Sequence, residues 1–79
     1  MKEENIQKLN QIFVTVLELD EEDFLDDLNS ETCEKWDSLA HVLLIAAIES
    51  EFNIEVEASD YEDFTSYPAV KILLKEFQL

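Results

Sequence analysis

Asp37-Ser38 stands at the mouth of the longest apolar-rich run in the chain, Leu39 to Ile48, and is the pair best placed to do chemistry. A hydroxyl at a helix N-terminus lies among backbone N–H groups that have no acceptor within the helix, and the helix dipole adds partial positive charge there. Both favour an oxyanion or a phosphate, so Ser38 is suited to bearing a phosphoester. His41 falls one turn further on, and a Ser-His-Asp set with Asp37 can be drawn. Catalysis of that kind needs an oxyanion hole and a pocket as well, and no residue pattern supplies them. No catalytic residue is assigned, and His41 reads as a partly buried helix residue or a contact point. Cys33 has no motif partner and reads as an incidental thiol. The acids from Asp20 onward invite comparison with a calcium loop. Counting from Asp20, Glu31 falls at position 12, but Phe24 and Leu25 stand where an oxygen ligand and a glycine are required. No metal site is expected.

The elements that must position Ser38 are read from periodicity, because glycine is absent and proline occurs once. Ile6, Leu9, Phe13, Val16 and Leu17 share one helical face, which Ile12 and Val14 widen, and Glu3 and Glu4 suit the first turn. The spacing predicts a helix from about Glu3 to Glu18. Asp20 to Trp36 is acidic and irregular; it reads as a long loop pinned by Phe24, Leu25 and Leu28, with a helical turn near Thr32 to Lys35. Trp36 reads as a loop anchor packed over the start of the next helix, its ring buried and its N–H near an acceptor. That helix is predicted from Ser38 to about Phe52 with Asp37 as N-cap. Leu44, Ile45, Ile48 and Phe52 make its core face. Leu39, Leu43, Ala46 and Ala47 lie on the far side, so part of this helix is left as a candidate contact surface.

Asn53 suits the left-handed conformation that ends a helix when glycine is unavailable. Ile54-Glu55-Val56-Glu57 alternates but is too short to form a sheet alone. Ser59-Asp60-Tyr61-Glu62 reads as a capping box opening a short helix to about Asp63. Thr65 or Ser66 then caps a last helix with Pro68 in its first turn and Val70, Leu73, Leu74 and Phe77 on one face. The fold class is all-α: a small four-helix bundle of three main helices, one short one and a long first loop, forming a single domain over residues 1–79.

A chain of 79 residues buries roughly 60–65 % of its unfolded surface, enough to fold without staples. Twenty acids against five lysines give a formal charge of −15, which disfavours nucleic acid and anionic membranes and favours basic protein surfaces. The lone cysteine precludes an internal disulfide and suits a reducing compartment. The N-terminus lacks a signal-peptide core, and no apolar run reaches the ~20 residues of a membrane span. The expectation is a cytoplasmic monomer.

Asp37-Ser38-Leu39, the apolar helix after it and Glu49-Ser50-Glu51-Phe52-Asn53-Ile54-Glu55-Val56 together resemble the acyl and peptidyl carrier proteins, as does Phe24-Leu25-Asp26-Asp27-Leu28 before the serine. The similarity covers nearly the whole chain, in helix order as well as motif. It implies 4′-phosphopantetheine on Ser38, attached from coenzyme A by a phosphopantetheinyl transferase with a divalent metal. The arm's thiol would hold an acyl or aminoacyl group as a thioester and present it to loading and accepting enzymes, with no bond-making chemistry in the domain itself. Asp37 would cap the helix and mark the site, with Leu39 and Val42 beside the arm. Leu39, Val42, Leu43 and Ala47 are the candidate partner contacts. The segment Asn29 to Trp36 is longer than the glycine-containing step of fatty-acid-synthesis members, and Ala40 and Leu43 stand where those members expose acids. The Trp-Asp-Ser-Leu form with a nearby histidine resembles carriers of specialised pathways. The alternative reading is an acidic helical adaptor that docks a basic partner without a prosthetic group.

Overall fold

The computed structural model describes residues 1–20, 28–31 and 33–79. Among the described residues three α-helices, α1 (Glu3–Val16), α2 (Ser38–Phe52) and α3 (Tyr67–Glu76), pack with a short 3-10 helix (Ala58–Asp63) in the all-α arrangement that periodicity anticipates. Phe24 and Leu25, two of the expected loop anchors, and Thr32, where the expected turn begins, lie outside the described residues.

Leu9, Phe13 and Leu17 of the first helical face meet Leu44, Ile45 and Ile48 of α2 and Tyr67, Val70 and Leu74 of α3, all nearly inaccessible to solvent. Each such side chain contributes ~1.5–3 kcal/mol relative to exposure in water. Phe52, expected in the α2 core face, is only half-buried at the end of the helix. Leu28, Trp36, Val56 and Phe64 complete the core from the segments between helices.

The absence of glycine leaves its mark at every α-helix end. Glu18, Asn53 and Gln78 all adopt positive φ, at 53°, 54° and 64°. After α1, Leu19 N–H donates to Val14 O at 3.0 Å and Glu18 N–H to Thr15 O at 3.4 Å. This is the reversal that glycine usually makes at a helix end. Similar reversals follow α2, with Ile54 N–H to Glu49 O at 3.1 Å, and α3, with Leu79 N–H to Leu74 O at 3.4 Å. So α1 stops at Val16 rather than at Glu18, because the chain turns left-handed at Glu18.

The long loop is tied down at its far end. Tyr67 N–H donates to Leu28 O and Ser30 N–H to Thr65 O, both at 2.8 Å, forming a short antiparallel bridge to the start of α3. Cys33 N–H donates to Asn29 O and Trp36 N–H to Cys33 O, each at 3.0 Å, so a compact turn precedes α2. Lys35 Nζ donates to Glu18 O at 2.7 Å and fastens that turn to the end of α1.

Three local expectations are corrected. The short helix starts at Ala58 behind Glu57 with no side-chain cap, so Ser59 does not open a capping box. Phe77 is 40 % exposed, because α3 ends at Glu76 and Phe77 only flanks it. Ala40 is buried rather than solvent-facing, one turn before Leu44 on the same side of α2. Ser66, of the two candidate caps, accepts from Ala69 N–H at 3.1 Å.

Candidate functional site

Ser38 is the first residue of α2 and is exposed. Asp37 holds extended backbone before it and turns its carboxylate back to accept from Ala40 N–H at 2.9 Å. His41 N–H reaches Asp37 O at 2.9 Å, the first full helical bond. Helix geometry therefore leaves the amides of Ser38 and Leu39 without helical acceptors, beside the serine hydroxyl. A phosphodiester on Ser38 would sit where those amides and the dipole favour an anion by ~0.3–1 kcal/mol.

Ser38 opens onto a cleft of about 560 Å³ lined by Ser30, Trp36, Asp37, His41 and Val42. Its floor is Trp36, a residue only 4 % exposed. The indole N–H donates to His41 Nδ1 at 3.2 Å, and His41 Nε2 lies 2.7 Å from Tyr61 O in the short 3-10 helix. An indole nitrogen only donates and a backbone carbonyl only accepts, which assigns the tautomer: Nδ1 bare, Nε2 carrying the hydrogen. The two rings also stack, with centroids 6.4 Å apart and planes 28° from parallel.

Trp36 and His41 are the residues before the N-cap and at the fourth helical position, the pair that forms a hydrophobic staple at many helix starts. Here the staple is aromatic and hydrogen-bonded. It continues inward. Trp36 meets Phe13 edge-to-face with centroids 5.4 Å apart, and Phe13 meets Tyr67 in the same manner at 5.4 Å. Lys71 Nζ lies 5.4 Å from the Tyr67 ring centre, and the Tyr67 hydroxyl donates to Asn10 Oδ1. A column of rings thus runs from the Ser38 cleft through α1 to α3.

The expected contact residues fall into separate groups. Val42, 56 % exposed, belongs to the Ser38 cleft. Leu39 and Leu43, 69 % and 48 % exposed, line a second cleft with Val16, Leu17 and Lys35. Ala47 is half-buried and lies with Ile12 and Val16 in a third, between α1 and α2. Sequence reasoning did not find Ser30, which the bridge to Thr65 carries to the cleft. His41 is the partly buried helix residue that was expected, but its link to Trp36 was not foreseen, although the spacing of the two about Asp37 was the available signal.

The acidic segment Asp20 to Glu31 is described only at Asp20 and from Leu28 onward. Among the described residues no three or more carboxylate, imidazole or thiol groups converge as metal ligands. Nor is any helix there long and apolar enough to cross a membrane.

The residues at the cleft fit a pantetheine arm. The serine is reachable, the helix N-terminus accommodates the phosphate, Trp36 and Val42 offer apolar walls, and Ser30 offers a polar edge. No curated protein matches the chain. A family model described as the phosphopantetheine attachment site matches residues 7–71, from α1 into α3. Domains of this family bear 4′-phosphopantetheine covalently and carry substrates for enzymes without being catalytic themselves. With 65 of 79 residues inside the match, the chain belongs to the phosphopantetheine-attachment family and is a carrier protein.

Proposed function

We propose that Ser38 is the attachment residue and that the protein carries an acyl or aminoacyl group as a thioester for enzymes of a specialised biosynthetic pathway. The observation that carries the assignment is the position of Ser38: exposed, first in α2, at the edge of a cleft, with Asp37 covering the Ala40 amide and leaving those of Ser38 and Leu39 open. In the loading reaction the Ser38 oxygen forms the new bond to phosphorus and gives up its proton, while the diphosphate linkage of coenzyme A breaks and adenosine 3′,5′-bisphosphate leaves. The transferase supplies the metal and the base. This chain supplies an accessible hydroxyl and a fixed helix start. Leu39 and Val42, both exposed within about one turn of the serine, are the first surfaces that a docking enzyme meets.

A charge of −15 supports basic docking surfaces on the transferase and on the loading and accepting enzymes. We place the protein in the cytoplasm, where coenzyme A is available and the arm's thiol stays reduced, and read it as a monomer. The test is intact mass after incubation with coenzyme A, magnesium and a broad-specificity phosphopantetheinyl transferase. One added arm is expected on the wild type and none on Ser38→Ala. An unchanged wild-type mass, under conditions that load a control carrier fully, would refute the assignment.

A further inference from the structure

An apolar cargo tethered at Ser38 has two places to lie: inside the bundle among the core side chains, or outside in the cleft. The way inward from the cleft meets Trp36 first, then Phe13, then Tyr67, each ring in edge contact with the next. His41 holds the outermost of these rings. Its Nδ1 receives the indole hydrogen and its Nε2–H is bonded to Tyr61 O, so one imidazole joins the loop, α2 and the short 3-10 helix. To pass, a chain must break both bonds and part Trp36 from Phe13, which is fully buried.

Resting on Ser38 as the attachment residue, we infer that His41 is a positioning residue that latches Trp36 over the core, so that cargo is carried outside the bundle. The cargo class that follows is short or polar acyl groups, such as aminoacyl or hydroxyacyl units. A long alkyl chain on the outside would keep most of its apolar surface in water, because the open cleft covers only the side that meets Trp36 and Val42. Short polar groups lose nothing by remaining there. The outer cleft suits them: Ser30 and Asp37 face the same space as Trp36 and Val42, giving one apolar side and one polar side.

The experiment loads the full chain with acetyl, 3-hydroxybutyryl or octanoyl arms from the matching coenzyme A thioesters and confirms each by intact mass. Backbone amide NMR shifts are then compared with those of the unacylated holo form. Wild-type shifts should be confined to Ser30, Trp36 and Ser38 to Val42 for all cargoes, with Phe13, Ile48 and Leu74 unmoved. His41→Ala should let the octanoyl form shift Phe13 and Tyr67. His41→Gln, whose amide can accept from the indole and donate to the carbonyl, should restore the wild-type pattern. Hydroxylamine cleavage gives an independent readout: a cargo that is always accessible reacts within about twofold of free acyl-pantetheine, whereas one hidden nine-tenths of the time reacts about tenfold slower. Octanoyl shifts at Phe13, Tyr67 and Leu74 in the wild type, with tenfold protection, would overturn the latch while leaving Ser38 intact. Absence of any added mass would instead overturn the attachment reading, and the latch with it. Should His41→Ala unfold, Trp36→Phe, which lacks the indole N–H that His41 accepts, takes its place in the octanoyl comparison, and unmoved Phe13 and Tyr67 there would overturn the latch.

Discussion

Asp37 holds the Ala40 amide at 2.9 Å and leaves the two preceding amides, of Ser38 and Leu39, without helical acceptors. The cap and the exposed serine at the helix mouth are thus adjacent residues. Removing the cap should cost ~1 kcal/mol of stability, within the ~0.5–2 kcal/mol seen for such caps, which lowers the melting temperature by ~4–8 °C in a domain of this size. We expect that loss for Asp37→Ala in thermal unfolding followed by circular dichroism, and a much smaller one for Asp37→Asn, which keeps the acceptor oxygen. An unchanged melting temperature in Asp37→Ala would show that the helix start is held by the Trp36–His41 staple alone. The cap and the helix start were legible in the sequence, because capping is a contact between residues three apart and the apolar run after Ser38 announces the helix. The role of His41 was not. It depends on which ring nitrogen meets an indole five residues back and which meets a carbonyl twenty residues ahead, at Tyr61.

Helix ends show where element-level reading succeeds and where it runs out. Asn53 could be placed in the left-handed region from its type, since asparagine tolerates that conformation. Glu18 and Gln78 could not, because nothing in a glutamate or glutamine side chain favours it. Phe77 fell off the anticipated face, one residue past the end of α3. A left-handed non-glycine residue costs ~1–2 kcal/mol, and glycine returns ~0.5–1 kcal/mol of that through the freedom it gains on unfolding. Glu18→Gly should therefore stabilise the protein by ~0.5–1 kcal/mol. The bond from Lys35 Nζ to Glu18 O involves the backbone and survives the change. The check is the urea midpoint, which should rise at constant slope. A lower midpoint would mean that the Glu18 side chain contributes something its exposed position does not suggest.

At the scale of the whole molecule the dominant quantity is charge. With −15 on 79 residues, the acids repel one another in the folded state more than in the expanded chain, so the native state is weakened at low ionic strength. Raising salt to physiological strength shortens the screening length to ~8 Å and should raise the melting temperature, by ~4–8 °C for each ~1 kcal/mol of repulsion relieved. A salt titration of thermal unfolding checks this, and a flat or falling curve would refute it. That the chain is a helical carrier could be read from sequence because helix order, the Asp-Ser-Leu step and the charge all point one way. The ring column could not, since Phe13, Trp36 and Tyr67 come from three separate segments that only the fold brings together. That column has a practical consequence. Trp36 is the chain's sole tryptophan, and it forms the floor of the cleft against an imidazole that accepts its N–H. The protein thus has a single dominant fluorophore beside Ser38, and its emission colour and lifetime give an unlabelled optical signal of whether the bond between Trp36 and His41 is made or broken.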